Sequence, residues 1–535
     1  MSETASAAPP SQTASPQAWR ALIVLLIGMF MALLDTTIVN VALPTIRDNV
    51  NGAGHPAGED VLSWVISGYA LAFGLALIPA GRLGDRLGHK WVFFTGLALF
   101  TLASLACGLA QSDVQLIVFR VVQGLAGGMF VPAVTAFIQL LFPGRVRGSA
   151  FAIMGAVIGV STALGPIIGG LLIQWFGTTD GWRLVFGVNL PIGIVALVLA
   201  IALIPGHKQV LAITGHAEEF AKAGIDWIGL VLVSGGLVAI LVPLIEGQDK
   251  GWPAWTFITL AGGVVLLVLF GFWEVWYTKR GLSPLVPPRL FSHPAFTGGT
   301  ILALVYFAAF TSIFFTISLL WQFGLGHTAL ESGLVSIPFA IGSIIGASLS
   351  NRLAERLGRT VLVIGTGLLA IGLLAMWIIL MNVKGSDLTN WELLVPLLFA
   401  GLGNGLFIAP NAQFIVATVN PAEAGAASGV VATMQRIGSA IGIAVIGSVL
   451  FGIANLTALP AEIHTKVAAA MQAGTYSSPT AAAAAISKSS LATHFTTAAA
   501  GAMGVSVIFA VVAFALVFAL PRRVSQQRQS SGPAT

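Results

Sequence analysis

The sequence predicts an all-α membrane protein with fourteen transmembrane helices. Three observations carry this: a scarcity of charge, fourteen long apolar runs, and basic residues gathered on alternate connections. Of 535 residues only 8% are charged and 56% are hydrophobic. Mean hydropathy is +0.93. An ordinary soluble domain is about 25% charged, and a soluble surface cannot be covered with a third of that. A cytosolic enzyme, a nucleic-acid module and a disordered hub are therefore excluded. The pI of 9.6 reads as basic bias in inner loops rather than as a taste for acidic partners.

A membrane span needs about 20 apolar residues. The first run, 20–43, carries Asp35, is too long for a signal-peptide core and shows no cleavage pattern, so it stays in the chain. Runs 61–80, 91–110 and 114–142 follow, the last holding Arg120. Run 149–173 is rich in glycine, and 184–204 closes a first group of six. Runs 226–246 and 255–276 form a pair of their own. A second group of six comprises 295–321, 330–350, 360–382, 392–417, 425–453 and 497–520. Backbone polar groups in lipid must bond internally, so each run is a helix. Trp19, Trp64, Trp91, Trp175, Trp182, Trp252, Trp255 and Trp391 lie at or near run ends, as an aromatic belt requires.

With the N-terminus inside, proposed inner segments hold 17 Lys and Arg, outer segments hold 6, and Arg120 and Arg436 fall within spans. That bias places both termini in the cytoplasm. Residues 1–18 and 521–535 read as disordered cytoplasmic tails. The Ala/Ser/Thr-rich stretch 454–496 reads as a long outward loop. The single Cys107 excludes an intrachain disulfide and a cysteine metal site. The eight histidines map to loops or tails without metal-ligand spacing, and no phosphate-binding fingerprint appears.

An internal repeat organises the spans. Residues 82–88 read RLGDRLG and residues 352–358 read RLAERLG, so five of seven match and Asp85 becomes Glu355. A second echo joins Gly148–Gly165 to Gly425–Gly442. Two parallel six-helix halves follow, 19–204 and 295–520, with 226–276 as a two-helix insertion between them.

Four motifs then resemble those of the fourteen-spanner drug:proton antiporters of the major facilitator superfamily, the family of multidrug efflux proteins of the EmrB and QacA kind. Residues 34–44, LDTTIVNVALP, resemble its first-helix motif. GRLGDRLGHK at 81–90 resembles motif A, with Gly84 and His89 as departures; it supplies Gly81, Asp85, Arg86, Gly88 and Lys90, echoed by Glu355 and Arg356. Arg120, Gln123 and Gly124 resemble motif B. Gly165, Pro166, Gly169 and Gly170 resemble motif C, the antiporter signature, with Ser161 in place of its leading glycine. WRLVFGVNLPIG at 182–193 and PLVPPRLF at 284–291 also resemble family segments. The resemblance implies a major facilitator fold and export by alternating access. It also implies motif A as a latch on the inner gate.

Physical chemistry gives these residues work beside the resemblance. An ionisable group in hydrocarbon is expensive and marks function by default. Asp35 lies roughly 22 Å along its helix from Arg20 and Arg120 roughly 9 Å below the outer edge, so their depths nearly match. Burial favours the neutral acid and a neighbouring guanidinium favours the carboxylate, a balance suited to proton exchange. Asp35 is expected to carry the proton and Arg120 to tune it. Asp85 is expected near the N-terminus of an inner helix, where the helix dipole favours it, with Arg86 and Lys90 bridging helix ends. The motif C glycines permit close helix approach, and Pro166 bends its span. Glu246 and Glu274 are expected to snorkel at span ends.

Asn40, Gln123, Asn404, Asn411, Gln413, Gln435 and Arg436 are candidates for the substrate cavity. Arg436 lies about 16 Å into its span with no obvious acidic partner. A lumen poor in carboxylates suits neutral, monocationic or anionic amphipathic substrates rather than divalent cations. No cofactor is expected, the drive being a proton gradient. The partners are the small substrate, protons and the bilayer, with a periplasmic adaptor and outer-membrane channel as further candidates. The expected place is the bacterial inner membrane. A dedicated exporter of one metabolite or antibiotic is the alternative. A membrane-embedded enzyme would need a catalytic cluster at one face and a sensor a soluble domain, and neither is evident.

Overall fold

The computed structural model describes residues 14–521 apart from 53–54, 56, 58, 215–225, 248–249, 384, 417–418, 421–422, 455–458, 474 and 476–477. Most of the two expected tails lies outside the described residues. The first half comprises α1 (Pro16–Asn49), α2 (Glu59–Leu87), α3 (His89–Leu109), α4 (Asp113–Leu141), α5 (Gly144–Gly187) and α6 (Asn189–Leu203). A short α7 (His207–Thr214) leads to the inserted pair, α8 (Trp227–Glu246) and α9 (Ala254–Lys279). The second half comprises α10 (Pro294–Leu319), a short α11 (Ala329–Leu334), α12 (Ile337–Leu357), α13 (Thr360–Asn382), α14 (Asn390–Val416), α15 (Ala424–Ala454), α16 (Leu459–Gln472) and α17 (Pro479–Val517). Among the described residues, fourteen segments are long and apolar enough to cross a membrane, and every one overlaps a run read from the sequence. No strand occurs among the described residues.

The two halves pair their helices alike. In the first, α1 packs on α5 and α6, α2 on α4, and α3 on α4 and α6; in the second, α10 packs on α15 and α17, α12 on α14, and α13 on α14 and α17. The repeated heptapeptides end their helices in the same way, at Gly88 (φ +93°) and Gly358 (φ +55°). Both positions need a left-handed backbone that glycine adopts without strain. The inserted α8 packs on α2 and α15, against the seam between the halves.

We call the face where α1 begins the near face and the opposite one the far face. Near the near face, Asp85 of α2 meets the start of α15, and Asn351 of α12 donates to Ser149 of α5 at 3.2 Å. Near the far face, α5 packs on α11: a side chain at Gly333 would strike Pro166 and one at Gly170 would strike Leu330. The halves thus touch at both ends.

Three expectations are corrected here. The 454–496 stretch is not simply a loop: it contains α16, and α17 begins at Pro479. Its Ala-rich composition has high helix propensity but too little hydropathy to register as a span. Four of the described histidines lie in helices: His89 opens α3 and lies buried 3.3 Å from Asp85, His207 opens α7, His464 lies within α16, and His494 of α17 bonds Glu462 of α16 at 2.8 Å. Glu274 does not snorkel. It is buried and accepts from the backbone N–H groups of Leu285 and Val286 at 3.2 and 3.3 Å, which tie the connection after α9 to that helix.

Small residues set the helix spacing. A Cβ on Gly405 would lie 2.2 Å from the Ser343 carbonyl oxygen, and one on Gly342 would lie 2.3 Å from the Leu398 oxygen. Membrane helices gain association energy from such close packing. Gly405→Leu should therefore separate α12 from α14 at a cost of about 1–3 kcal/mol or more, read as a lower melting temperature in detergent; an unchanged melting curve would refute this account of the packing.

Candidate functional site: a buried carboxylate cluster, a gate contact and a central cavity

Asp35 is fully buried on α1. The Arg120 guanidinium of α4 donates to its Oδ2 at 2.6 Å, Gln123 to its Oδ1 at 2.9 Å, and Asn189 of α6 to the same Oδ1 at 2.8 Å. Arg120 also donates to the Val65 carbonyl at 3.0 Å and to Gln123 Oε1 at 2.7 Å. Ser104 of α3 accepts from Gln123 at 2.6 Å and from Asn189 at 3.0 Å. The Tyr69 ring of α2 lies 4.0 Å from the guanidinium carbon, a cation–π arrangement. Residues from α1, α2, α3, α4 and α6 thus close round one ion pair in the far half of the first bundle. A buried pair is tolerable only when its remaining bonding capacity is met; here three donors converge on two carboxylate oxygens.

Sequence reading paired Asp35 with Arg120 but missed Tyr69, Ser104 and Asn189 as members of the cluster. The available signal was an amide embedded in an otherwise apolar stretch of the quoted segment WRLVFGVNLPIG. Gln123, expected on the cavity wall, belongs to this cluster.

Motif C lies beside it. A Cβ on Gly165 would lie 1.9 Å from Thr37 Oγ1, and one on Gly169 would lie 2.9 Å from Ile38. Those glycines let α5 press against α1 immediately past Asp35, while Pro166 and Gly170 face α11 of the other half. One helix therefore touches both the segment bearing the carboxylate and the opposing bundle.

At the near face, Asp85 is buried and accepts from the backbone N–H groups of Gly425 and Ala426 at 3.0 and 3.2 Å. This is an anionic cap on the first turn of α15, favoured by the free N–H groups and the dipole. Gly81 is required by the approach, since a Cβ there would stand 2.1 Å from the Gly425 oxygen. Lys90 donates to the Ile201 and Ile204 carbonyls at 2.8 Å each, capping the end of α6. Arg86, expected to bridge a helix end, is exposed, as are Glu355 and Arg356 in the second half. The repeat is one of sequence and backbone, whereas the buried carboxylate cap is described only for Asp85.

Glu423 precedes α15 and accepts from Arg289 at 2.8 Å. Burial pushes its carboxyl above the ordinary value of 4.5, although Arg289 and Arg82 pull the other way.

A cavity of about 60 Å³ lies between the halves, on the near side of the centre. Met29, Phe151, Met154, Phe307 and Phe407 give it apolar walls; Asn411 and Gln435 add amides, and no carboxylate lines it among the described residues. Asn404, expected there, instead joins helices: it accepts from Tyr306 at 3.1 Å and donates to Ser343 at 2.9 Å. Gln413 is likewise absent from the lining. The side chain of Asn40 lies outside the described residues. Arg436 is partly buried, with its guanidinium carbon 4.0 Å from the centre of the Phe73 ring.

A two-bundle helical body with a central cavity, contacts closing both ends and a buried titratable pair to one side defines a membrane carrier. The chain belongs to the Major Facilitator Superfamily, whose model matches residues 25–443. It is 35% identical over 438 residues to a probable actinorhodin transporter of Streptomyces coelicolor, covering 81% of this chain and 73% of that one. It is 31% identical over 509 residues to a puromycin resistance protein of Streptomyces alboniger, covering 95% and 92%. A solved proton:xylose symporter shares the fold, with TM-score 0.59 at 15% identity, covering 93% of this chain and 96% of that one. The family is one of transporters, and this is a multi-pass membrane protein.

Two measurements test the near-face contacts. Asp85→Asn weakens a charge-assisted cap and should cost about 1–2 kcal/mol, shifting the near-face contact towards its open form by about 5–30-fold. A cysteine introduced as Ser149→Cys should then be alkylated correspondingly faster; an unchanged rate would mean that Asp85 does not hold this face closed. For Glu423, a raised value means that the fold favours the protonated acid. Its stabilising effect is complete below pH 4.5 and is lost as pH rises through the raised value. The melting temperature of wild type relative to Glu423→Gln should fall as pH rises above 4.5, and a flat difference would contradict this.

Proposed function

We propose that the chain is a proton-coupled exporter of amphipathic drugs or other toxic small molecules, acting by alternating access as an antiporter. In this reading the protein spans the bacterial cytoplasmic membrane, with the near face and both termini on the cytoplasmic side. The observation that carries the reading is the Asp35 cluster: an ion pair sunk in the bundle whose carboxylate is held by three side-chain donors. When a proton arrives, the carboxylate becomes neutral and its hold on Arg120 weakens. Arg120 keeps the Val65 carbonyl and Gln123, so the guanidinium has somewhere to stay. The change is passed along α1 and α4, which also line the cavity with Met29 and Val131. Proton and cargo occupy separate places: Met29 lies six residues before Asp35, roughly 9 Å along the helix. Coupling therefore works through helix movement rather than through direct contact.

The cavity wall of methionine and phenylalanine suits flat, greasy molecules of varied outline, since methionine adapts to irregular shapes. The names of the relatives support export of antibiotics. Several are named for single compounds, tetracenomycin C, cephamycin and methylenomycin A among them. That favours, as a second reading, a dedicated exporter with one principal cargo.

One proton moving through 100 mV supplies about 2.3 kcal/mol, enough for roughly a 50-fold gradient at about 1.4 kcal/mol per tenfold. In proteoliposomes with an imposed pH gradient, wild type should accumulate a fluorescent amphipath, and Asp35→Asn should abolish accumulation while leaving binding within severalfold. Gradient-driven accumulation by Asp35→Asn would refute the assignment of the proton site.

A further inference from the structure

The first bundle's intramembrane charges cancel, Asp35 against Arg120 at 2.6 Å. The second bundle holds Arg436 in α15, for which no acidic partner occurs among the described residues. Its guanidinium instead faces the Phe73 ring of α2, across the boundary between the halves. A ring face screens a cation but does not neutralise it. Arg436 stands four residues past Ala432, so the two share a helix face one turn apart, and Ala432 and Gln435 both line the cavity. Taken as a whole residue, Arg436 is partly buried, and it stands beside the lining rather than in it. The cavity below it offers amides at Gln139, Asn411 and Gln435 but no carboxylate.

An uncompensated cation at membrane depth is retained at a cost, and such residues mark pathways. From these observations we infer that Arg436 is an anion-recognising residue at the far end of the cavity, and that the preferred cargo is an amphipathic aromatic acid carrying one negative charge. The apolar walls take the ring system, the amides take its hydroxyl and carbonyl groups, and the guanidinium takes its carboxylate or phenolate as a forked donor. A lipophilic cation would meet like charge and no counter-charge. The inference rests on the exporter reading above.

The test uses a matched pair of probes, pyrene-butyrate and its neutral methyl ester, on the full chain. Binding is read in detergent by quenching of protein fluorescence, and transport in proteoliposomes with an imposed pH gradient. Wild type should bind the acid on the order of tenfold more tightly than the ester. Arg436→Gln should erase that preference by weakening the acid alone, and Arg436→Lys should keep most of it. Should Arg436→Gln fail to fold, the wild-type preference and its retention in Arg436→Lys carry the test. Equal binding of the two probes by wild type, or a preference that survives Arg436→Gln, overturns the inference. Loss of gradient-driven transport with the acid preference intact would instead sink the exporter reading and leave Arg436 as an anion site.

Discussion

The ion pair between Asp35 and Arg120 constrains everything around it. A carboxylate and a guanidinium in lipid must have their bonding capacity filled, and five helices of the first bundle are arranged to fill it. Val65 turns a carbonyl towards Arg120, Gln123 and Asn189 turn amides towards Asp35, and Ser104 holds both amides. Motif C then follows as a packing demand: α5 can lie against α1 at this point only because Gly165 and Gly169 carry no side chains. The same helix leans on α11 through Pro166 and Gly170. A change in charge at Asp35 is therefore next to the element that joins the two bundles.

The near-face contacts rest on a different principle. Asp85 borrows the exposed N–H groups of a helix start instead of a side-chain cation. Such a cap is strong when seated and costs little to solvate when released, the property a gate requires. Glu423 and Arg289 form a second ion pair immediately before the same helix, so the connection that follows the inserted helices is anchored beside the Asp85 contact. The insertion is thereby tied to the contact between the two halves rather than merely filling lipid.

Much of this was legible in the sequence because lipid leaves few options. Apolar run length fixed the count of helices, and the heptapeptide repeat fixed their grouping. The Asp35–Arg120 pair could be inferred from matched depths, and the Asp85 contact from the oddity of an acid among basic residues. Other features turned on side-chain direction, which spacing does not reveal. Gln123 sits three residues from Arg120 and turns towards the carboxylate instead of the lumen. Asn404 is spent between helices. Asn189 escaped notice because a lone amide at a span edge looks the same whether it bonds a neighbour or an acid on another helix. The helices α16 and the start of α17 look like loop in the sequence, since alanine and serine signal neither lipid burial nor a turn.

The seat of α8 on α2 and α15 has one more consequence. Two bundles that rock against each other part along two flanks, and on this flank Leu241 is packed within reach of Gly74, roofing the crevice. The opposite flank, where α5 meets α12, has no such cover among the described residues. Under the proposed rocking motion, a greasy molecule dissolved in the leaflet would meet α8 on one flank and bare helices on the other, which makes the carrier lopsided towards its own bilayer.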